Sequence, residues 1–266
     1  MLHFIIFIIV GMIAGTLSGL LGIGGGSILV PTFLLGLSPQ IDKQYLGHIA
    51  IATSTAVIFF TSVVSSFSHF KHGSINSKLL LYMSLGAIIG AFLTGEFIFT
   101  KISSHNVNII FIIFLIYTAI TTILPSKKTV NTKNLKINYK LVTFMGGIIA
   151  SISSIVGVGG GFLTVPFLLY LGLPIHNAIA TSAGLGVTIA MSATLTYAFQ
   201  SIPVEKTIGL IYYPAVIMMI PLSMLMAIYG AKLAHKCDAN KLKRIYGYFL
   251  IVLIVLLSVK TIKYYF

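Results

Sequence analysis

Acidic residues are almost missing: Asp42, Glu96, Glu205 and Asp238 are the only four carboxylates among 266 residues. None falls near the middle of an apolar stretch, whereas cation pumps and sodium or proton carriers keep an intramembrane carboxylate as a counter-charge. The scarcity therefore argues against a cation as cargo. Cysteine is just as scarce. Cys237 stands alone, which excludes an intramolecular disulfide and any cysteine-built metal site. Charged residues make up only 8% of the chain, too few to coat a soluble fold of this size. HExxH, GxSxG and Walker motifs are absent, and metal ligands do not cluster, so nothing points to an enzyme, a nucleotide-driven motor or a cofactor. Any transport would have to draw on a gradient or a partner.

What the chain has instead is apolar length. Hydrophobic residues are 57% of the total and the mean hydropathy is +1.04. Continuous apolar segments long enough for roughly 30 Å of hydrocarbon recur along the whole sequence. The expected class is an all-α, polytopic transmembrane helical bundle. A membrane barrel would show short alternating segments. The net charge of +13 does not signal nucleic acid, because the lysines sit in connections between apolar spans. There they set orientation and meet anionic lipid. The opening MLHFIIFIIVGMIAG lacks the basic start of a signal peptide and is read as a retained first helix.

The expected helical spans are 2–21, 27–37, 47–69, 79–100 and 106–124, then 141–156, 161–172, 176–199, 207–234 and 244–264; those at 27–37 and 161–172 are short. A polar, lysine-rich stretch at 125–140 divides two similar halves, 1–124 and 141–266. With a shift of 135, residues 11–36 match residues 146–171 at ten of 26 positions, among them Gly22, Gly24, Gly25, Gly26 and Pro31. With a shift of 128, HIAIATS at 48–54 matches HNAIATS at 176–182 at six of seven. This is an internal duplication. If each half crosses an odd number of times, twelve of the 17 lysines and arginines share the linker's side. That bias predicts a cytoplasmic linker, both termini outside, and halves inverted relative to each other.

The duplicated motif is LGIGGGSILVP at 21–31 and VGVGGGFLTVP at 156–166. A helix interior disfavours glycine by about 1 kcal/mol and proline by about 3 kcal/mol, so both places predict breaks at membrane depth. Such paired breaks point to a transporter's binding site. Gly22, Gly24, Gly25 and Gly26, with Gly157, Gly159, Gly160 and Gly161, allow successive N–H groups to converge, and the half-helices that follow begin there with their positive dipole ends. The expected ligand is an anion. Ser27 adds a hydroxyl, which its counterpart Phe162 cannot do. Gly11, Gly15 and Gly19, spaced four apart, suit close helix packing instead. The hydroxyls of Thr53, Ser54, Thr181 and Ser182 are further candidates for the site, or for bonds back to their own helices. His48 and His176, near the starts of their helices, are candidates for proton coupling. His69 and His72 are expected to be solvated. Glu96 is expected at a helix end, in a surface pair with Lys101.

The paired glycine–proline signature and the ATS segments resemble the TauE/SafE family of sulfite exporter-like bacterial membrane transporters. The resemblance spans both halves and the linker. It implies movement of sulfite or a small organosulfur anion such as a sulfonate across the inner membrane, often outward, at a site on the glycines, Thr53, Ser54, Thr181 and Ser182. The expected function is a secondary transporter for a small anion, worked by alternating access between the repeats. The alternative is a passive anion channel. Residues 53–69 come closest to a polar path, but Ile58, Phe59 and Phe60 interrupt it. Pro203, Pro214 and Pro221 lack first-half counterparts, which would make the second half the more kinked one.

Overall fold

A computed structural model describes residues 2–22, 24–37, 41–71, 73–123, 137–200, 203–234, 247–248, 250–259 and 261. Most of the linker, His72 and Cys237 lie outside the described residues. Helices dominate: α1 (Leu2–Leu21), α2 (Gly26–Gly36), α3 (Lys43–Lys71), α4 (Ser77–Leu93), α5 (Ser104–Ile123), α6 (Tyr139–Val156), α7 (Gly161–Tyr170), α8 (Ile175–Ala198), α9 (Tyr213–Ala234) and α10 (Leu250–Val259). Among the described residues, six helices are long and apolar enough to cross a membrane. Their outward faces carry Leu81, Ile89, Phe144, Ile217 and Leu225, each at least 60% exposed, a surface that suits lipid.

α3 and α8 form the centre. They run in opposite directions. Asn177, in the first turn of α8, donates to the Ser74 carbonyl just beyond the end of α3 at 3.0 Å. Tyr212, beyond the end of α8, donates its N–H to Thr53 in the first half of α3 at 3.0 Å. Around this pair, α1 packs along α9 and α4 packs along α6. Exchanging the two halves turns the first of these pairings into the second. Both rest on small residues. A side chain on Gly15 or Gly19 would run into the α9 backbone at Ser223 or Ala227, and one on Gly86 or Gly90 into α6 at Thr143 or Gly147. Close backbone approach of this kind replaces the hydrophobic drive that is absent between helices in lipid.

Two expected spans differ in the structure. The span expected at 79–100 is α-helical only to Leu93, continuing as a π-turn (Thr94–Ile98) and a 3₁₀ turn (Phe99–Lys101). The span expected at 207–234 begins instead with a hairpin, β1 (Thr207–Ile208) and β2 (Ile211–Tyr212), and the helix starts at Tyr213. The cause is local. Gly209 adopts left-handed backbone at φ 59° and with Leu210 forms the two-residue turn between Ile208 and Ile211, which forbids a helix there, while Lys206, left-handed at φ 61°, stands just before β1. A side chain at Gly209 would strike the carbonyls of Tyr197 and Ala198, so the hairpin tip is seated against the end of α8.

Candidate substrate site

Both glycine runs break the chain at matching positions, although Gly24 is left-handed at φ 79° and its equivalent Gly159 is not. Gly22 and Gly157 take left-handed conformations at φ 65° and 69°, and Gly25 and Gly160 repeat this at 71° and 76° before α2 and α7 begin. The second helices are 11 and 10 residues long, about 16 Å at 1.5 Å per residue. That is half a bilayer core. Pro31 and Pro166 each stand at the sixth position of these half-helices, where the ring removes a main-chain donor. α2 turns back beside α1: a side chain on Gly25 would meet the Ala14 carbonyl, and one on Gly36 would meet the Phe7 ring. α2 therefore returns toward the end at which α1 starts.

The breaks meet. A Cβ built on Gly24 would lie 2.8 Å from the Gly159 Cα, and one on Gly26 would collide with the Gly157 carbonyl. Gly22, Gly24, Gly25, Gly26 and Ser27, with Gly157 through Gly161, are all buried. The junction lies halfway along the central pair. Ile58, at the middle of α3, packs its side chain on the positions of Gly24, Gly26 and Gly159, while Gly186, at the middle of α8, faces the Gly159 carbonyl. Ile58 and Gly186 are equivalent under the shift of 128, so one half supplies a plug where the other leaves room. Among the described hydrogen bonds, the N–H groups of Gly24, Gly25, Gly26, Gly159 and Gly161 have no main-chain acceptor. Groups of this kind at a helix start attract an anion.

The four hydroxyls cross between the halves. Ser54 donates to the carbonyl of Gly157 at 3.1 Å and Ser182 donates to that of Gly22 at 3.2 Å. Thr53 accepts the Tyr212 N–H, and Thr181 accepts the Asn76 N–H, both at 3.0 Å. In this conformation the serine protons hold the opposite break in place. The threonine oxygens, which accept, still have a proton to give. Replacing Thr181 with valine is expected to strand the Asn76 N–H, at about 1–3 kcal/mol, and to weaken apparent substrate affinity more than expression. Thr181→Ser should restore it. A concentration series of uptake in proteoliposomes checks this, and an unchanged half-saturation would make Thr181 a packing residue.

The histidines do not join the junction. His48 is buried near the start of α3, its Nε2 facing the carbonyls of Phe99 at 3.1 Å and Ile102 at 2.9 Å. Carbonyls only accept, so Nε2 carries a proton. His176 is exposed at the second position of α8, at the other end of the central pair. His69, expected to be solvated, is 2% exposed with its Nε2 3.2 Å from the Gly19 carbonyl, because the end of α3 packs on the end of α1. Glu96 lies exposed in the π-turn and accepts from Gln200 Nε2 at 3.1 Å, a different partner from the expected Lys101.

A bundle of apolar spans around two short half-helices, whose glycine starts are buried against each other, has the construction of a polytopic membrane transporter. The particular family follows from comparison. Residues 7–257 match the family model described as sulfite exporter TauE/SafE, and the chain belongs to that family. It is 33% identical to a probable membrane transporter protein of Haemophilus influenzae over 261 residues, covering 95% of this chain and 97% of the other. A probable membrane transporter protein of Methanocaldococcus jannaschii is 30% identical over 240 residues, 88% and 85% of the two chains. A third, YunE of Bacillus subtilis, is 27% identical over 215 residues, 74% and 78%. No solved structure matches the chain. The family and these relatives are membrane transporters, not enzymes.

Proposed function

We propose that this protein is a secondary transporter of a small anion, sulfite or an organosulfur anion such as a sulfonate, carried at the junction of the two glycine breaks. The observation that carries the reading is the contact of Gly24–Gly26 with Gly157–Gly159 at the middle of α3 and α8. It puts main-chain donors of both halves beside one another, with no carboxylate among the residues that meet there. The halves, 1–124 and 141–266, act as inverted repeats on either side of the 125–140 linker. The opposed directions of α3 and α8 support that reading, as does the exchange of α1–α9 for α6–α4. Alternating access then consists of one half rocking on the other, releasing the Ser54–Gly157 and Ser182–Gly22 bonds in turn. The protein sits in the inner membrane with its linker in the cytoplasm and both termini outside, its basic connections against anionic lipid.

Purified protein in liposomes tests the reading. Uptake of sulfite or ethanesulfonate should saturate and be accelerated by the same anion on the opposite side. Flux that rises linearly with concentration would replace the carrier with a passive anion channel. Orientation has its own measurement. In a Cys237→Ser background, Lys71→Cys should react with an impermeant maleimide only from the cytoplasmic face, and Glu205→Cys only from the outer face. Labelling of both from one side would overturn the inverted arrangement.

A further inference from the structure

Away from the glycine junction, an open cavity of about 510 Å³ lies between the first turns of α3 and α5. His48, in its wall, precedes Ile58 by ten residues of α3, about 15 Å of helix rise. We propose that this cavity is an anion-binding vestibule for a small organic oxyanion, a sulfonate- or phosphate-type head on a short carbon body.

Its lining combines cationic, polar and apolar residues. Lys43 and Lys101 line it with Thr100 and Ser103, while Tyr45 and Leu210 supply carbon surface. Among the described residues, no carboxylate lines it. Asp42 is exposed outside the lining, Glu205 is exposed in the hairpin connection, and Glu96 is engaged by Gln200. The walls are held by bonds that do not involve a ligand. The Nε2–H of His48 fastens the 99–102 turn, and with it Lys101, onto α3. The Gly47 N–H donates to Ser104 Oγ at 2.7 Å and ties α5 to the same helix. Ser103 Oγ accepts from the Asn106 N–H at 3.3 Å and so caps α5. The volume falls within the roughly 300–1,000 Å³ of small-molecule pockets. It exceeds what a bare inorganic oxyanion fills, and the apolar lining residues give a carbon body something to touch. Two sources can present this chemistry: a free organic anion entering or leaving the transport path, or the headgroup of an anionic lipid. The link to transport rests on the anion reading above; the binding itself does not.

Calorimetric titration of the delipidated protein in detergent with ethanesulfonate tests the vestibule. Lys43→Gln and Lys101→Gln should each weaken binding by about tenfold or more, the loss expected of a charge-assisted contact. Lys71→Gln, at the far end of α3, should not, and rising salt should mimic the lysine variants. A parallel titration with short-chain phosphatidylglycerol against phosphatidylcholine separates the sources. Lysine-dependent competition between phosphatidylglycerol and ethanesulfonate assigns the cavity to a lipid headgroup, which is the same chemistry from the bilayer. In Gly25→Val the lysine-dependent binding should survive. Binding of both anions that ignores Lys43 and Lys101 overturns the vestibule. If that binding also vanishes in Gly25→Val, the junction reading stands without it.

Discussion

Gly25→Val is expected to abolish anion uptake while leaving the protein inserted and monodisperse, and Gly160→Val is expected to do the same. Gly25 holds φ at 71° and Gly160 at 76°, a region that costs a branched residue about 1–3 kcal/mol. At Gly25 the new Cβ would also stand 2.7 Å from the Ala14 carbonyl, so α2 must leave α1. At Gly160 the first obstacle is the Cδ1 of Ile189 at 2.7 Å, the end of a side chain that can rotate, and Gly160→Ala should be the milder change. Displacing two or three amides from an anion forfeits about 1.5–3 kcal/mol each, on the order of 100-fold or more in transport. Gly73 separates strain from function. Its φ is 65°, yet nothing lies within 4 Å of a Cβ there, so Gly73→Ala should carry backbone strain alone and keep transport near wild type. Normal uptake in correctly inserted Gly25→Val and Gly160→Val protein would remove the glycine junction as the site.

Much of this architecture is legible in the order of residues. The span expected at 2–21 coincides with α1, and the glycine–proline motif marks both half-helices to within a residue or two at their starts. Glycine and proline act on their own neighbours, so their consequences can be read locally. The triplet-to-triplet contact follows less directly, from the duplication: equal breaks in equal halves are placed to meet. What escapes is anything decided by partners far apart in the chain. Ser54 and Gly157 are 103 residues apart and Ser182 and Gly22 are 160 apart. No spacing rule links them. His48 and His176 are equivalent in the repeat, yet one is buried under the 99–102 turn and the other is exposed. That Lys43 and Lys101 line one cavity follows only from the packing of that turn on α3. The hairpin at 207–212 escapes for a different reason: TIGLIY is as apolar as a helix, and the left-handed backbone of Gly209 turns it.

Ile58 carries the second large effect. Its equivalent in the other half is Gly186, so the two halves cannot seal the junction equally. Ile58 is fully buried and presses on the positions of Gly24, Gly26 and Gly159 from the centre of α3. In the carrier reading this side chain keeps the two sides of the junction from being open together. Shortening it to alanine should let anions leak: a linear, unsaturable component should appear on top of exchange, with single-sided efflux raised about tenfold or more. The change also removes buried carbon, at about 2–5 kcal/mol, so Ile58→Val, at about 0.5–1.5 kcal/mol, is the companion variant and should give a smaller leak in a more stable protein. Gly186→Ala should act in the opposite sense. Its Cβ would stand 3.1 Å from the Gly159 carbonyl and 3.2 Å from Ser62 Oγ, tightening the junction and slowing exchange. Efflux from preloaded proteoliposomes with no anion outside reads both effects. A tight, fully saturable Ile58→Ala protein would move the barrier away from α3, and a leak already present in the wild type would favour the channel over the carrier.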